Sequence, residues 1–303
     1  MALIIGKQII IMLILMAVGF LCTKAGLITE QGAKDLSGIL MYAVSPLVVL
    51  LSFQQEFSQK MLMNFLITIT VSAFIIGMST VGAILLTHKK KKDWEIDRFS
   101  LIFRNTGFFG IPVVSSVFGT EGVFYLSAFL VVFNIWCWSY GITIMKNETA
   151  RISVRTMLHN MLNPNIIAIG IGFILFISSV TFPDVLSAGF QYMADLNTPL
   201  AMLIIGYGLS KNSIKDLLED KRIIKMSLLT LIVFPLVEIS IIHVLPIDLT
   251  IRIVVSIASA CPIATVLNMF VLRYDKDTAY AARINSVTTI LSAATIPLMM
   301  LFY

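Results

Sequence analysis

A short segment of this 303-residue chain combines a polar amide with two residue types that interrupt helices. Residues 104–112 read Arg-Asn-Thr-Gly-Phe-Phe-Gly-Ile-Pro, inside a stretch that is otherwise apolar enough to span a membrane. Pro112 cannot donate a backbone hydrogen bond within a helix, and Gly107 and Gly110 add backbone freedom. Interrupted backbone at membrane depth is tolerated only where it lines a cavity or is buried in protein. The segment from Asn105 to Pro112 therefore predicts a binding site at a broken helix.

The composition indicates a polytopic membrane protein. Hydrophobic residues make up 58% of the chain and charged residues 13%, whereas soluble domains carry about 25% charged residues. Because one crossing needs about 20 mostly apolar residues, the sequence predicts an all-α protein with ten transmembrane helices. The ten predicted spans cover residues 2–22, 33–52, 61–87, 99–118, 121–145, 162–181, 189–209, 223–245, 249–272 and 277–302.

The distribution of basic residues predicts the orientation of these spans. Of the 22 lysines and arginines, 17 belong to the odd-numbered loops and their edges and 3 to the opposite side, while Arg104 and Arg283 lie inside spans. Basic residues accumulate in cytoplasmic loops, so we expect both termini outside a plasma (inner) membrane. The net charge of +5 then describes loops that face anionic lipid, and we expect no nucleic-acid partner.

The sequence offers no basis for an enzyme, a cofactor or a metal site. It contains neither a His-Glu-x-x-His motif nor a glycine-rich phosphate loop, and its loops are too short to form a soluble domain. The three cysteines, Cys22, Cys137 and Cys261, lie in apolar segments, which is typical of packed thiols and not of a disulfide framework.

Short matches recur at a nearly constant offset along the chain. Val-Gly-Phe at 18–20 parallels Ile-Gly-Phe at 171–173, and Ser-Pro-Leu at 45–47 parallels Thr-Pro-Leu at 198–200. Pro112 parallels Pro262. The pattern predicts a first five-helix repeat over residues 1–150 and a second over residues 151–303. An odd number of spans in each repeat gives the second repeat the opposite orientation in the membrane, as in many secondary transporters.

Two broken helices in corresponding positions, the fourth and the ninth, are expected to cross near the membrane midplane. The half-helix after Pro112 and the half-helix that starts near Pro262, next to Cys261, would both point their N-termini at the break. Such ends carry partial positive charge and unpaired N–H groups, so they suit an anionic group such as a carboxylate. The alternative is that both prolines only kink their helices.

Ionisable side chains inside the predicted spans need a partner or a function. Glu238 lies about two-thirds of the way across the eighth span, where a carboxylate is costly unless it is paired or protonated. It is a candidate for proton coupling, with an ion pair to Arg283 or a place near the outer surface as the alternatives. Arg283 itself either snorkels or neutralises the second break or an anionic substrate, and Arg104 is expected to snorkel to the headgroups. Further candidates for lining the site are Ser45, Asn134, Thr198 and Asn268.

Several of these segments resemble the auxin efflux carrier family, which includes plant PIN-type auxin exporters and bacterial malate or malonate permeases. The resemblance extends nearly end to end. It is carried by residues 103–112, by Asn-Pro-Asn at 163–165, by Asp195 with 199–202 and 206–209, and by 292–298.

The resemblance implies a fold related to sodium/proton antiporters and bile-acid symporters. Spans 1, 2, 6 and 7 would form a scaffold, and spans 3–5 with 8–10 a moving transport domain. In such relatives the amide that matches Asn105 contacts the substrate carboxylate, and the residues that match Asn163 and Asn165 help to close the site. The substrate-binding candidates are Asn105, Thr106, Gly110, Pro112, Asn163, Asn165, Cys261 and Pro262.

These features together predict a secondary carrier for small organic anions, such as malate or malonate, with elevator-like alternating access. Because Arg104 stands where the plant motif has proline, and the plant proteins' long central loop is absent, auxin is not the expected substrate. A sodium-coupled symporter and a non-transporting membrane sensor are the alternatives. The coupling ion, a proton or sodium, and the oligomeric state, a homodimer being one option, are left open.

Overall fold

The computed structural model describes residues 2–146, 163–211 and 220–303, which are helical with no strand. This confirms the prediction of an all-α protein for the described ranges. The helices are α1 (Ala2–Lys24), α2 (Glu30–Ser52), α3 (Gln59–Leu86), α4 (Trp94–Ile102), α5 (Thr106–Lys146), α6 (Pro164–Ile177), α7 (Asp184–Ala194), α8 (Asn197–Ser210), α9 (Lys221–Val244), α10 (Leu249–Ala260), α11 (Val266–Arg273) and α12 (Thr278–Phe302).

Six of these helices, α1, α2, α3, α5, α9 and α12, have the length and apolar composition needed to cross a membrane. Helices α6 and α10 are also apolar but shorter. Large apolar side chains such as Leu85 and Ile174 are exposed on the helices, which suits contact with lipid tails. The described part of the chain is therefore a multi-pass membrane protein, while the count of ten crossings and the inverted repeat stay predictions.

Two of the predicted spans have a more complex course than a single straight helix. Helix α5 contains the second half of the predicted fourth span and the whole fifth span, with a sharp kink at Gly119 (φ 57°, ψ −143°). A side chain would strain this backbone conformation, so glycine permits the kink between the two predicted spans. The predicted seventh span is divided between α7 and α8, with Asp195 and Leu196 between them.

Helices α1 and α8 approach each other closely because glycines face each other where they cross. A Cβ atom added to Gly206 would lie 2.2 Å from the Met16 carbonyl oxygen, and one added to Gly19 would lie 2.5 Å from the Leu203 carbonyl oxygen. Small residues at such crossings let two backbones pack directly against each other in a membrane. This contact joins the first span to the seventh.

We expect Gly206→Ala to lower the thermal stability of the purified protein in detergent. The added methyl group forces α1 and α8 apart, and overpacking of this kind costs about 1–3 kcal/mol. Gly170→Ala on α6 is the matched control, because nothing lies within 4 Å of its added Cβ. Equal unfolding temperatures for the two variants would contradict the close packing of α1 against α8.

An aromatic cluster joins α2, α3, α5 and α6 at one end of the molecule. Neighbouring rings in it have centroids between 5.0 and 5.8 Å apart, a separation typical of favourable aromatic pairs. The cluster consists of Phe53, Phe57, Phe65, Phe124, Phe173 and Phe176.

A charged network, here called the basic-end network, joins α4, α9 and the start of α12 at the opposite end. Arg222 Nη2 lies 2.7 Å from Asp97 Oδ2, and its guanidinium stacks 4.5 Å from the centre of the Tyr280 ring. The Tyr280 hydroxyl donates to Asp97 Oδ1 at 2.6 Å. Lys276, just before α12, pairs with Glu95 of α4 at 2.8 Å. The network holds the ends of these three helices together.

Candidate functional site

The first helix interruption lies between α4 and α5. Helix α4 ends at Ile102, Phe103 is extended (φ −102°, ψ 116°), and α5 begins at Thr106 with Asn105 as its N-cap. The Asn105 side-chain oxygen accepts a hydrogen bond from the Phe108 N–H at 3.3 Å. The first turn, Thr106–Gly110, is a wide π-helical turn, a feature that is frequent at functional sites.

The position of this interruption corrects the expectation that the half-helix begins after Pro112. Pro112 lies at the start of the α-helical part of α5, directly after the π-helical turn, and the helix passes through it without a break. Inside a continuous helix proline removes one backbone hydrogen bond, and the π-helical turn directly before it already departs from the regular i→i−4 pattern. The half-helix N-terminus is therefore at Asn105, and Pro112 lies two turns inside the helix.

The second interruption lies between α10 and α11, where the sequence predicted it. Helix α10 ends at Ala260, Cys261 is extended (φ −60°, ψ 152°), and the helix resumes at Val266. Pro262 lies inside this interruption.

The two interruptions cross and pair through their backbones. The Asn105 N–H donates to the Pro262 carbonyl at 2.7 Å, and the Ala264 N–H donates to the Phe103 carbonyl at 3.0 Å. This pairing forms an antiparallel bridge between Arg104 and Ile263. Each interruption thus satisfies backbone groups that the other exposes, which is how irregular backbone becomes tolerable inside a membrane protein. We call this arrangement the crossing.

Three consecutive side chains at the crossing have buried polar atoms without a hydrogen-bond partner in the described part of the chain. They are Arg104 Nη2, Asn105 Nδ2 and Thr106 Oγ1, on residues that are 3%, 4% and 0% exposed. The first two atoms are donors, and the hydroxyl can also donate. Because burying an unpaired donor costs about 1–3 kcal/mol, the arrangement calls for a ligand rich in acceptors.

Gly110 and Cys261, two further predicted site residues, lie side by side where the interruptions meet. A Cβ atom on Gly110 would lie 3.4 Å from the Cys261 sulfur. Asn268, in the first turn of α11, has a buried side-chain oxygen without a partner in the described residues. The crossing therefore combines both helix N-termini with polar side chains from each of the two halves of the chain.

The predicted residues on α5 and α6 form a second polar group. Asn163 caps α6 by accepting from the Ile166 N–H at 3.1 Å, and its amide nitrogen donates to Asn134 Oδ1 at 2.7 Å. The Asn134 amide in turn donates to the Leu130 carbonyl. Asn165 has a buried side-chain oxygen that lacks a partner in the described residues. Asn163 therefore has a capping role as well as a contact with α5.

Ser45 and Thr198 lie on α2 and α8, the helices that carry the repeated Pro-Leu pairs. The Ser45 side chain is fully buried, and its hydroxyl has no partner in the described ranges; Thr198 is half-buried. Helix α8 contacts both the π-helical turn 106–110 of α5 and the π-helical turn 40–44 of α2. This places α8 directly beside the first interruption.

The ionisable residues inside the predicted spans differ in their surroundings. Glu238 is 2% exposed and accepts a hydrogen bond from the Ser79 hydroxyl of α3. Arg283 lies 4.0 Å from Asp220 at the start of α9, so the alternative of an ion pair between Arg283 and Glu238 is wrong. Arg104 is buried at the crossing and does not snorkel to a surface.

Two contacts near the crossing were not predicted from the sequence: the burial of Arg104 there and the hydrogen bond from Ser79 to Glu238. Arg104 directly precedes the predicted Asn105, so its adjacency to the motif was an available signal. Ser79 is a small residue on a long apolar helix, and the sequence contained no signal that it contacts Glu238. No group of three or more His, Cys, Asp or Glu residues suited to a metal ion occurs in the described residues.

The fold and the crossing together define a multi-pass helical membrane protein with interrupted helices that pair in its interior. The profile of the family described as membrane transport protein matches residues 4–300, and the chain belongs to this family, the auxin efflux carrier family. An uncharacterized transporter of Methanocaldococcus jannaschii is 26% identical over 217 residues, which cover 68% of this chain and 70% of that protein. The family is one of membrane transporters, which agrees with the expectation that the protein is not an enzyme.

Proposed function

We propose that the protein is a secondary transporter of small organic anions, with mono- or dicarboxylates such as malate or malonate as substrates. The observation that carries this proposal is the run of buried side chains Arg104, Asn105 and Thr106, which have polar atoms without partners in the described residues. A carboxylate offers two acceptor oxygens and a negative charge, which match these donors. The N-termini of α5 and α11 add partial positive charge and N–H groups at the same place.

We further propose that the chain crosses the membrane ten times, as two inverted repeats over residues 1–150 and 151–303. Support comes from the interruption of a helix at corresponding positions of the two halves and from the backbone pairing between these interruptions. Helices α4 and the first part of α5 would then make the fourth crossing, and α10 with α11 the ninth. Both chain termini would lie outside a plasma membrane, with the basic-end network at the cytoplasmic face.

Transport would use elevator-like alternating access between a scaffold of α1, α2 and α6–α8 and a transport domain of α3–α5 and α9–α12. The basic-end network supports this division, because it joins α4, α9 and α12, which all belong to the proposed transport domain. The aromatic cluster spans the two proposed bodies at the end opposite the basic-end network. Substrate access at that end would require the cluster to separate.

The coupling ion would be a proton, with the buried Glu238 as its carrier. A sodium-coupled symporter of the same fold is the alternative, and a sensor that binds an anion without moving it is a second one. We also propose that the protein contacts membrane lipid and assembles as a homodimer.

Uptake of labelled malonate and malate into liposomes that contain the purified protein tests this function. We expect saturable uptake that exceeds the uptake of empty liposomes and responds to a pH gradient, while labelled glycerol, a neutral control, does not accumulate. Dependence on sodium in place of pH would favour the symporter. Binding without uptake would favour the sensor, and neither binding nor uptake of any tested carboxylate would refute the proposal.

A further inference from the structure

A buried arginine and a buried glutamate lie near each other at the crossing without forming a direct ion pair. Arg104 and Glu238 are 3% and 2% exposed, and their charges interact electrostatically. None of the ion pairs within 4.0 Å in the described residues involves either of them. Each charge is therefore compensated only at a distance, although charges inside a membrane protein are costly without partners.

The Arg104 guanidinium has spare binding capacity. Its Nη1 donates to the Ser100 carbonyl of α4 at 3.2 Å, its Nη2 has no partner in the described residues, and the Phe234 ring lies 5.9 Å away. A guanidinium binds a carboxylate through two parallel N–H groups, a geometry that no other side chain reproduces. The free nitrogen lies next to the free amide of Asn105 in sequence, at the interruption where the substrate would bind.

In the described part of the chain, Glu238 is surrounded by hydroxyl groups and one opposite charge. Its carboxylate accepts from Ser79 of α3, and Ser259 of α10 lies beside it with a hydroxyl that makes no hydrogen bond of good geometry. Arg104 is the charged group that acts on it, and Cys261 is the other titratable side chain beside Arg104. The charge state of Glu238 therefore decides whether Arg104 has a counter-ion.

We propose that Arg104 is the residue that selects anions, and that Glu238 is an internal counter-ion that the substrate carboxylate replaces when Glu238 takes up a proton from water. This inference rests on the proposed function and deepens it, because it couples one proton to each bound anion. With Glu238 ionised, the site is electrically balanced and an arriving anion meets a negative charge. With Glu238 protonated, Arg104 is left with a net positive charge and a free donor for the anion. Binding then carries the proton and the carboxylate together.

Calorimetric titration of the full-length protein in detergent with malonate, in buffers of different ionisation enthalpy, measures the proton uptake that accompanies binding. For the wild type we expect about one proton per bound malonate, and an affinity that falls as the pH rises. Glu238→Gln imitates the protonated form, so it is expected to bind malonate without proton uptake and with little dependence on pH. Ser240→Ala, two residues later on α9 with its hydroxyl bonded to the Leu236 carbonyl of the same helix, is the control and should behave as the wild type.

The role of Arg104 is tested by the double variant Arg104→Gln with Glu238→Gln. Arg104→Gln by itself would leave the Glu238 carboxylate buried without its counter-charge, so the substitution is made in the Glu238→Gln background. We expect this protein to fold but to bind malonate about 100-fold more weakly than Glu238→Gln does, because a charge-assisted pair is lost. Unchanged proton uptake in Glu238→Gln would overturn the inference together with the role of Glu238 as proton carrier, and unchanged affinity in the double variant would overturn the role of Arg104. Either result would leave the proposal of an organic-anion transporter intact. If the wild type binds no carboxylate, the proposed function and the inference fail together.

Discussion

Asn105→Asp is expected to abolish carboxylate binding while the protein keeps its fold. The Asn105 side-chain oxygen caps α5 through the Phe108 N–H, and aspartate caps a helix as well as asparagine does. The free Nδ2 donor, however, is replaced by a second carboxylate oxygen that cannot donate and that repels an anion. We expect the affinity for malonate to fall by at least about 100-fold, since a charge-assisted bond is exchanged for a like-charge contact.

The cap is retained, and the thermal unfolding midpoint measures the cost of the added buried carboxylate separately from binding. Binding is measured by titration in detergent, and folding by the thermal unfolding midpoint. Ser116→Ala on α5, whose hydroxyl bonds to the Val113 carbonyl of its own helix, serves as the control and should change neither quantity. If Asn105→Asp binds malonate with an affinity within about threefold of that of the wild type, Asn105 is not a binding residue.

Cross-linking Gln55 to Thr120, after substitution of both by cysteine, is expected to stop transport. The Gln55 side-chain nitrogen donates to the Thr120 hydroxyl at 2.7 Å. Gln55 follows α2 of the proposed scaffold, and Thr120 follows the kink in α5 of the proposed transport domain. A short reversible thiol cross-linker between them prevents the two bodies from moving apart. We expect uptake into liposomes to fall by more than tenfold, roughly to background, and to recover after reduction.

A second pair supplies the control for this experiment. Gln54 accepts from the Phe182 N–H at 2.7 Å, and both residues lie in loops of the proposed scaffold. Cross-linked cysteines at 54 and 182 should therefore leave uptake unchanged. Cys22, which is partly exposed, is replaced by serine in both proteins, while Cys137 and Cys261 are buried. Full uptake by the cross-linked 55–120 protein would rule out movement between the proposed bodies.

The sequence predicted the helical class and the existence of both interruptions, because these depend on local properties. Apolar length marks a spanning helix, and glycine with proline marks a weak point. The second interruption contains Pro262 as predicted, whereas the first lies at residues 103–105 and not at Pro112. Its position depends on backbone pairing with residues 262–264, which lie far away in sequence. A local sequence pattern does not indicate pairing between residues so far apart in the chain.

The charged residues were harder to place for the same reason. Arg104 lies close in sequence to the predicted end of the fourth span, which suggested that its side chain reaches the membrane surface. In the structure the side chain is buried at the crossing. Arg283 and Glu238 were considered as a pair from their depth alone, yet Arg283 lies near Asp220 and Glu238 near Ser79. Depth along a helix does not specify which face of it meets which neighbour.

The central claim, that a carboxylate binds at the crossing, is tested most directly by a crystal structure of the protein with bound malonate. We predict a malonate oxygen within hydrogen-bond distance of Asn105 Nδ2, with the ligand beside the N-termini of α5 and α11. Malonate bound elsewhere, with Asn105 Nδ2 unoccupied at a concentration that saturates transport, would contradict the account.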